Sequence, residues 1–247
     1  MSPAWILSCL LLPCLLAGPQ LHSRHTRQVS GPAVREVAEN VFSFTSSGLY
    51  ISMFIITEEG VMVIDPDSVG HSTAMLEAIR RETSAPIRFL FYSHNHYDHS
   101  KGGQVWKDEG ATIVSHLEAY EFIRSNPSPD LLLPDLTWSG HTFDVRLGGL
   151  TLQLFYFGLS HGLGMTAFLI PNLRLGFIAD TVSPGRVPFQ YFPDFNIPGL
   201  ERTLHKYLEL DVEKIVFSHN ANTDPLEPGS KADIQFVLDY IKVERTR

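Results

Sequence analysis

The sequence predicts an α/β fold in which two mixed β-sheets pack face to face and helices cover their outer faces, a four-layer αββα sandwich. Three observations predict it. Short apolar runs, rich in β-branched and aromatic residues and bounded by Gly, Pro or polar residues, read as buried strands. They outnumber the helical patterns and are interleaved with them, which favours two packed sheets with helices outside. Four of the runs end in His or Asp: "GVMVIDPD" at 60–67, "IRFLFYSHNH" at 87–96, "LRLGFIADT" at 173–181 and "EKIVFSHNA" at 213–221. Open α/β sheets place their ligand sites at such C-terminal strand ends.

From the N-terminus, "MSPAWILSCLLLPCLLAG" holds no charged residue and has an apolar core from Ala4 to Leu16. It reads as a secretory signal peptide over residues 1–23, with cleavage between Ala17 and Ser23, so the protein is expected to be secreted. The run is short of the ~20 residues a spanning helix needs. Residues 24–33 read as a flexible arm, in which Arg24 to Arg27 is either a processing site or simply solvated. Residues 34–247 read as a single domain. Both cysteines, Cys9 and Cys14, lie in the leader, so the mature chain has neither disulfides nor thiolate ligands and depends on its core. A 44% apolar content is enough to build one. The net charge of −8 argues against a nucleic-acid or anionic-membrane partner, and a small-molecule substrate is expected instead. Oligomeric state is left open.

Strands are expected in "NVFSFT" (40–45), "LYISMFIIT" (49–57), "TIVSH" (112–116), "TFDVRL" (142–147), "LTLQLFYF" (150–157) and "MTAFLI" (165–170), besides the four His- or Asp-ended runs. Helical spacing is seen in "HSTAMLEAIRRETS" (71–84), "SHLEAYEFIRS" (115–125), "IPGLERTLHKYLELD" (197–211) and "SKADIQFVLDYIKVER" (230–245). The Pro-rich "SNPSPDLLLPDLTWSG" at 125–140 reads as an irregular surface loop over one edge.

The chemistry concentrates in "FYSHNHYDHSKGG" at 91–103. In an extended segment His94 and His96 point the same way, while Asp98 and His99, on a turn, diverge towards a second point. That spacing can feed two metal ions rather than one. A hydrogen-bonded histidine cluster without metal is the plainer alternative, but the cluster follows a buried strand and leads into a helix, which favours metal.

The pattern His-x-His-x-Asp-His after an apolar strand resembles the metallo-β-lactamase superfamily, from about Glu36 to the C-terminus. The resemblance implies that a His, an Asp and a His follow in order at strand ends, and His161, Asp180 and His219 stand in those places. It assigns His94, His96 and His161 to a first metal, and Asp98, His99 and His219 to a second, with Asp180 bridging. Asp65 matches the family's early strand-end Asp, which orients the ligand loop; its alternative is a turn former beside Pro66. His71, His116, His141 and His205 match no ligand position and read as surface or capping residues.

The implied activity is that of a secreted dinuclear metal-dependent hydrolase, in which metal-held hydroxide attacks the carbonyl of a lactam, lactone, ester or thioester. Asp98 is the expected catalytic residue, holding the proton and passing it to the leaving group. Imidazole and carboxylate donors suit two Zn²⁺ per chain, with iron or manganese permitted. The alternatives are a mononuclear-iron oxidoreductase resembling the sulfur dioxygenases, and a non-catalytic secreted binding or matrix protein that keeps the fold. The lactamase subclass with a cysteine ligand does not match, nor do the relatives with long inserts or a large C-terminal helical domain. In "TVSPGRVPFQYFPDF" at 181–195, Arg186 is a candidate anchor for a substrate carboxylate, and Phe189, Tyr191, Phe192 and Phe195 either wall an apolar groove or pack under a loop. Tyr97, inside the metal loop, either packs or faces substrate.

Overall fold

The computed structural model describes residues 31–187 and 191–245. The leader, the Arg24–Arg27 segment and Phe189 lie outside the described residues. Among the described residues, twelve strands form two sheets. The first holds seven strands in the order β1 (Ala33–Ala38), β2 (Val41–Thr45), β3 (Ser52–Thr57), β4 (Gly60–Ile64), β5 (Ile87–Phe91), β6 (Thr112–His116) and β7 (Leu136–Trp138). The second runs β12 (Lys214–Phe217), β11 (Leu175–Ile178), β10 (Thr166–Ile170), β9 (Leu150–Tyr156) and β8 (Thr142–Leu147). Three apolar clusters account for the layering. One, with Met53, Met62, Phe91, Leu152, Phe168 and Phe177, lies between the sheets. A second joins the outer face of the first sheet to α1 (Val69–Glu82), α3 (Gly103–Asp108) and α4 (Leu117–Ser125) through Met75, Ile79, Trp106 and Ile123, while the single turn α2 (Tyr97–Ser100) lies in the histidine loop. The third joins the outer face of the second sheet to α5 (Ile197–Glu209) and α6 (Lys231–Arg245) through Leu200, Leu204, Ile234 and Leu238. The result is the expected αββα sandwich. No helix among the described residues is long and apolar enough to cross a membrane.

The sheet directions place the site. β4, β5, β6 and β7 are mutually parallel, so Asp65 and the histidine loop emerge from one edge. β11 and β12 are parallel in the second sheet, and β9 runs the same way across the antiparallel β10, so Asp180, His219 and the loop with His161 leave by one edge of that sheet. Backbone bonds stitch the two edges: Ile51 N–H donates to Ser218 C=O at 2.8 Å, and Thr166 N–H to Ser93 C=O at 2.8 Å.

The structure departs from the sequence expectations in three places. Ala33, expected in the arm, opens β1, an edge strand in which only Val37 is buried. Leu136–Trp138, expected inside an irregular loop, pairs parallel to β6 with Trp138 buried. Residues 49–51, expected in a strand, instead form a loop because the Ile51 amide bonds across to the other sheet.

Candidate metal centre

The ligand loop leaves β5 under the control of Asp65. Its Oδ1 accepts from the Ser93 amide at 2.7 Å; its Oδ2 accepts from the Ser93 hydroxyl at 2.7 Å and from His99 Nδ1–H at 2.8 Å. Asp65 itself has φ +60°, a left-handed conformation that a non-glycine residue adopts only where its surroundings impose it. The buried Ser52 hydroxyl, donating to the Asp65 carbonyl at 2.6 Å, is part of that imposition.

An imidazole has two nitrogens, and the one held as a donor leaves the other as the free lone pair. Ser93 Oγ, already donating to Asp65, accepts from His94 Nδ1–H at 2.9 Å. His219 Nδ1–H donates to Leu49 C=O at 2.9 Å. With His99 bound to Asp65, three histidines thus turn Nε2 inward. His96 is reversed: its Nε2 faces both carboxylate oxygens of Asp194 at 3.3 and 3.2 Å.

The inward atoms meet around Asp180. Its Oδ2 is 3.3 Å from His161 Nε2 and 3.8 Å from His94 Nε2, and its Oδ1 is 3.1 Å from His99 Nε2 and 3.2 Å from His219 Nε2. The Ser218 hydroxyl donates to the same Oδ1 at 2.9 Å. Two sets of donors therefore converge within 4.8 Å: His94, His96, His161 and Asp180, and Asp98, His99, Asp180 and His219. All seven residues in question are brought together. His94 Nε2, His96 Nδ1, His99 Nε2 and both His161 nitrogens are buried with no hydrogen-bond partner among the described residues. Buried polar nitrogens are costly to leave unpaired, and this donor set fits divalent cations.

The electrostatics follow from burial and proximity. Burial, with His99 and His96 close by, holds His94 well below the ordinary histidine range. Burial alone would do the same to His99, but the Asp180 and Asp65 carboxylates override it and raise it well above. Burial would raise Asp180, yet His99 and His219 hold its carboxyl well below the usual carboxylate range.

Two cavities open on this centre. The larger, about 460 Å³, is lined by Tyr50, Asp98, His161, Asp180, Arg186 and Phe192 among others. The second, about 390 Å³, lies beside His96 and is walled by Tyr97, Phe122, Phe192 and Pro193. Asp98 and Phe192 belong to both. Phe192 lies over His96 with ring centroids 4.2 Å apart, and Phe195 meets His161 edge-on at 5.7 Å. Arg186 lines the larger cavity, exposed, and forms no ion pair among the described residues. Tyr97 is 43% exposed at the apolar cavity rather than packed. Tyr191, expected beside substrate, is 87% exposed and lines neither cavity, because the chain turns its Phe192 neighbour inward instead.

The other histidines divide. His116 caps α4, accepting from the Glu118 amide at 3.3 Å, and His141 and His205 are exposed. His71 corrects the surface reading: it is 1% exposed, under Phe44, between the Ser46 and Ser52 hydroxyls at 3.0 and 2.9 Å. Two residues at the centre were passed over in the sequence. Tyr50 lies 4.9 Å from the His219 ring and lines the larger cavity, and its phenol is raised by burial and by the Asp98 charge. Asp194 was visible only as the polar residue in an aromatic run.

The chain is similar to known proteins in sequence and in shape. The profile described as the metallo-beta-lactamase superfamily matches residues 48–219. The alpha subunit of the 2,4-dinitroanisole O-demethylase of Nocardioides sp. (strain JS1661) is 29% identical over 176 residues, 70% of this chain and 53% of that one. The chain thus spans about half the length of that curated relative. Among solved structures, a metallo-beta-lactamase from Pontibacter korlensis superposes with a TM-score of 0.73 at 16% identity, covering 85% of this chain and 99% of that one. The DIM-1 metallo-beta-lactamase, exposed to ceftazidime, gives 0.74 at 16% identity, covering 88% and 99%. At such identities the structural likeness is one of fold.

Proposed function

Because the chain belongs to the metallo-β-lactamase superfamily, we propose that it is a dinuclear zinc hydrolase acting on the carbonyl of a lactam, lactone, ester or thioester. One observation carries the reading: two donor sets share the Asp180 carboxylate, one oxygen turned to each, while the outer nitrogens of His94, His96, His99 and His219 are already engaged. A pair of divalent ions, when bound, supplies an acidified water and Lewis-acid stabilisation of the carbonyl oxygen. His94, His96 and His161 would hold one, and Asp98, His99 and His219 the other, with Asp180 between.

The chain's own residues do the rest. Asp98 lines both cavities with its carboxylate one-third exposed, so it can take the proton of the attacking water at a carboxylate oxygen and return it to the leaving group. Arg186 suits a substrate carboxylate, and Tyr50 a polar group near the carbonyl. Apart from Asp98, the amide and carboxylate side chains on the wall of the second cavity are already engaged: Asn95 donates to Asp194 at 3.0 Å and accepts from the Leu163 backbone amide at 2.8 Å. That cavity therefore offers mainly hydrocarbon, which favours an aryl or alkyl arm. The leader-like run from Ala4 to Leu16 supports export.

The O-demethylase relative supports a second reading, hydrolytic removal of a methyl group from an electron-poor aryl ether, whose ring the Phe122–Phe192 cavity suits. Elemental analysis of the purified chain, followed by assays on phenyl esters, lactones, lactams and 2,4-dinitroanisole, tests both. Two zinc ions with carbonyl cleavage support the first reading; methanol release from dinitroanisole alone replaces it with the second. One iron per chain, or no tightly held metal, overturns the dinuclear assignment.

A further inference from the structure

Asp194 lies in the loop before α5 and closes the outer side of His96. Its Oδ1 and Oδ2 are 3.3 and 3.2 Å from His96 Nε2, and Oδ2 also accepts from Asn95 Nδ2 at 3.0 Å. An ionised carboxylate only accepts, so His96 Nε2 carries the hydrogen and Nδ1 is left with the lone pair. Nδ1 is buried and has no hydrogen-bond partner among the described residues. His96 therefore turns the opposite nitrogen inward from His94, His99 and His219.

The surroundings leave this arrangement little freedom. Asn95 is held twice by Leu163, its amide donating to the Leu163 carbonyl at 3.2 Å and its side-chain oxygen accepting from the Leu163 amide at 2.8 Å. A Cβ on Gly162 would stand 2.8 Å from Asn95 Oδ1 and 3.2 Å from His96 Nε2, so only a glycine passes there without displacing them. On the other side, the Asn196 amide donates to the Ser160 carbonyl at 2.7 Å, tying the Asp194 loop to the segment that carries His161. The same loop brings Phe192 onto the His96 ring.

We propose that Asp194 is the positioning carboxylate of the first metal site: it fixes the Nε2–H tautomer of His96 and joins metal occupancy at that site to the seating of the Phe192 wall. The assignment rests on the two-metal reading above. Carboxylates behind ligating histidines fix ring orientation and raise basicity, and their loss typically costs 10- to 100-fold in metal affinity. Coupling is reciprocal, so a metal at His96 also holds the 191–196 loop closed.

The test uses the full mature chain, zinc titrated against a chromophoric chelator, and long-range ¹H–¹⁵N spectra of the imidazoles in the zinc-loaded protein. Asp194→Ala should loosen one of the two zinc ions by 10- to 100-fold and leave the other at the parent's affinity. Asp194→Asn, which keeps an acceptor but loses the charge, should lie between parent and Ala, and it serves if the Ala variant fails to fold. In the parent, His96 should carry its proton on Nε2, and hydrogen exchange in 191–196 should slow when zinc is added; in Asp194→Ala that slowing should shrink. Unchanged affinity for both zinc ions in either folded variant, or zinc coordinated to His96 Nε2, overturns the assignment. A parent that binds two zinc ions but cleaves no carbonyl substrate overturns the hydrolase reading alone. An active parent whose variants keep both affinities overturns Asp194 alone.

Discussion

Asp65 Oδ2 lies 2.8 Å from His99 Nδ1 while the same carboxylate receives the Ser93 amide and hydroxyl, so one buried side chain sets both the start of the ligand loop and the inward face of His99. Asparagine at 65 has a single acceptor oxygen for three donors. Asp65→Asn is expected to weaken the metal held by His99 by 10- to 100-fold and to cost about 1–3 kcal/mol of stability for the donor left unpaired. Chelator competition and urea unfolding of the metal-free protein measure the two effects, and affinity within a factor of two of the parent would refute the first.

Asp98 differs from Asp65 in that its carboxylate is bonded to no donor among the described residues and faces both cavities; His99 Nε2 stands 3.8 Å from it. Little of the fold depends on it. Asp98→Asn should therefore melt close to the parent temperature yet lose 10²- to 10⁴-fold in kcat on any ester or lactam the parent cleaves. The comparison should be made at saturating zinc, because Asp98 is also a donor of the second set. A loss of less than tenfold would mean that the proton travels through another group.

The architecture was readable because its signals are local. Each buried strand is a short apolar run, and the ligand candidates stand at run ends, where the chain itself announces a turn towards the sheet edge. What stayed hidden depends on contacts across the chain. Asp194 meets His96 over 98 positions, and no pattern around "FPDF" separates a carboxylate facing a histidine from a solvated one. Tyr50 reads as the second residue of a strand until the Ile51 amide is seen bonding to Ser218 in the other sheet. His71 obeys no ligand spacing and sits in an amphipathic helix, so its burial beneath Phe44 comes only from packing. β7 is three residues long, too short for alternation to register.

His71 makes the fold sensitive to acid away from the metals. The Ser52 hydroxyl donates to the Asp65 carbonyl, so it accepts from His71 Nε2–H, and the Ser46 hydroxyl meets Nδ1. Burial, aided by the positive His99, lowers His71 from the ordinary 6.5 to about 4. Above pH 6.5 folded and unfolded chains both carry it neutral. Between 6.5 and 4 the unfolded chain takes up a proton that the folded chain refuses, so stability falls as pH falls, by up to about 3 kcal/mol at the lower end. In metal-free protein, His71→Asn should be less stable than the parent at pH 7 but should lose less across this window. Equal losses in urea unfolding at pH 7 and pH 4.5 would show that His71 is not the group responsible.

Two glycines in helices make opposite predictions from the same substitution. A Cβ on Gly199, in the first turn of α5, would stand 1.8 Å from the Leu159 carbonyl oxygen and 2.9 Å from Asn196 Oδ1. The carbonyl belongs to the backbone just before His161, so the helix or the ligand-bearing loop must move. Gly199→Ala is expected to cost about 3 kcal/mol, the upper range for overpacking, and to loosen the metal held by His161 as the loop shifts. A Cβ on Gly70, in the first turn of α1, would meet no neighbouring atom within 4 Å, and the residue has no positive φ. Gly70→Ala should stabilise the protein by about 0.4–1 kcal/mol by restricting the unfolded chain. Urea unfolding of the pair measures both, and because the two variants carry the same chemical change, a matching sign would remove steric contact as the explanation for the first.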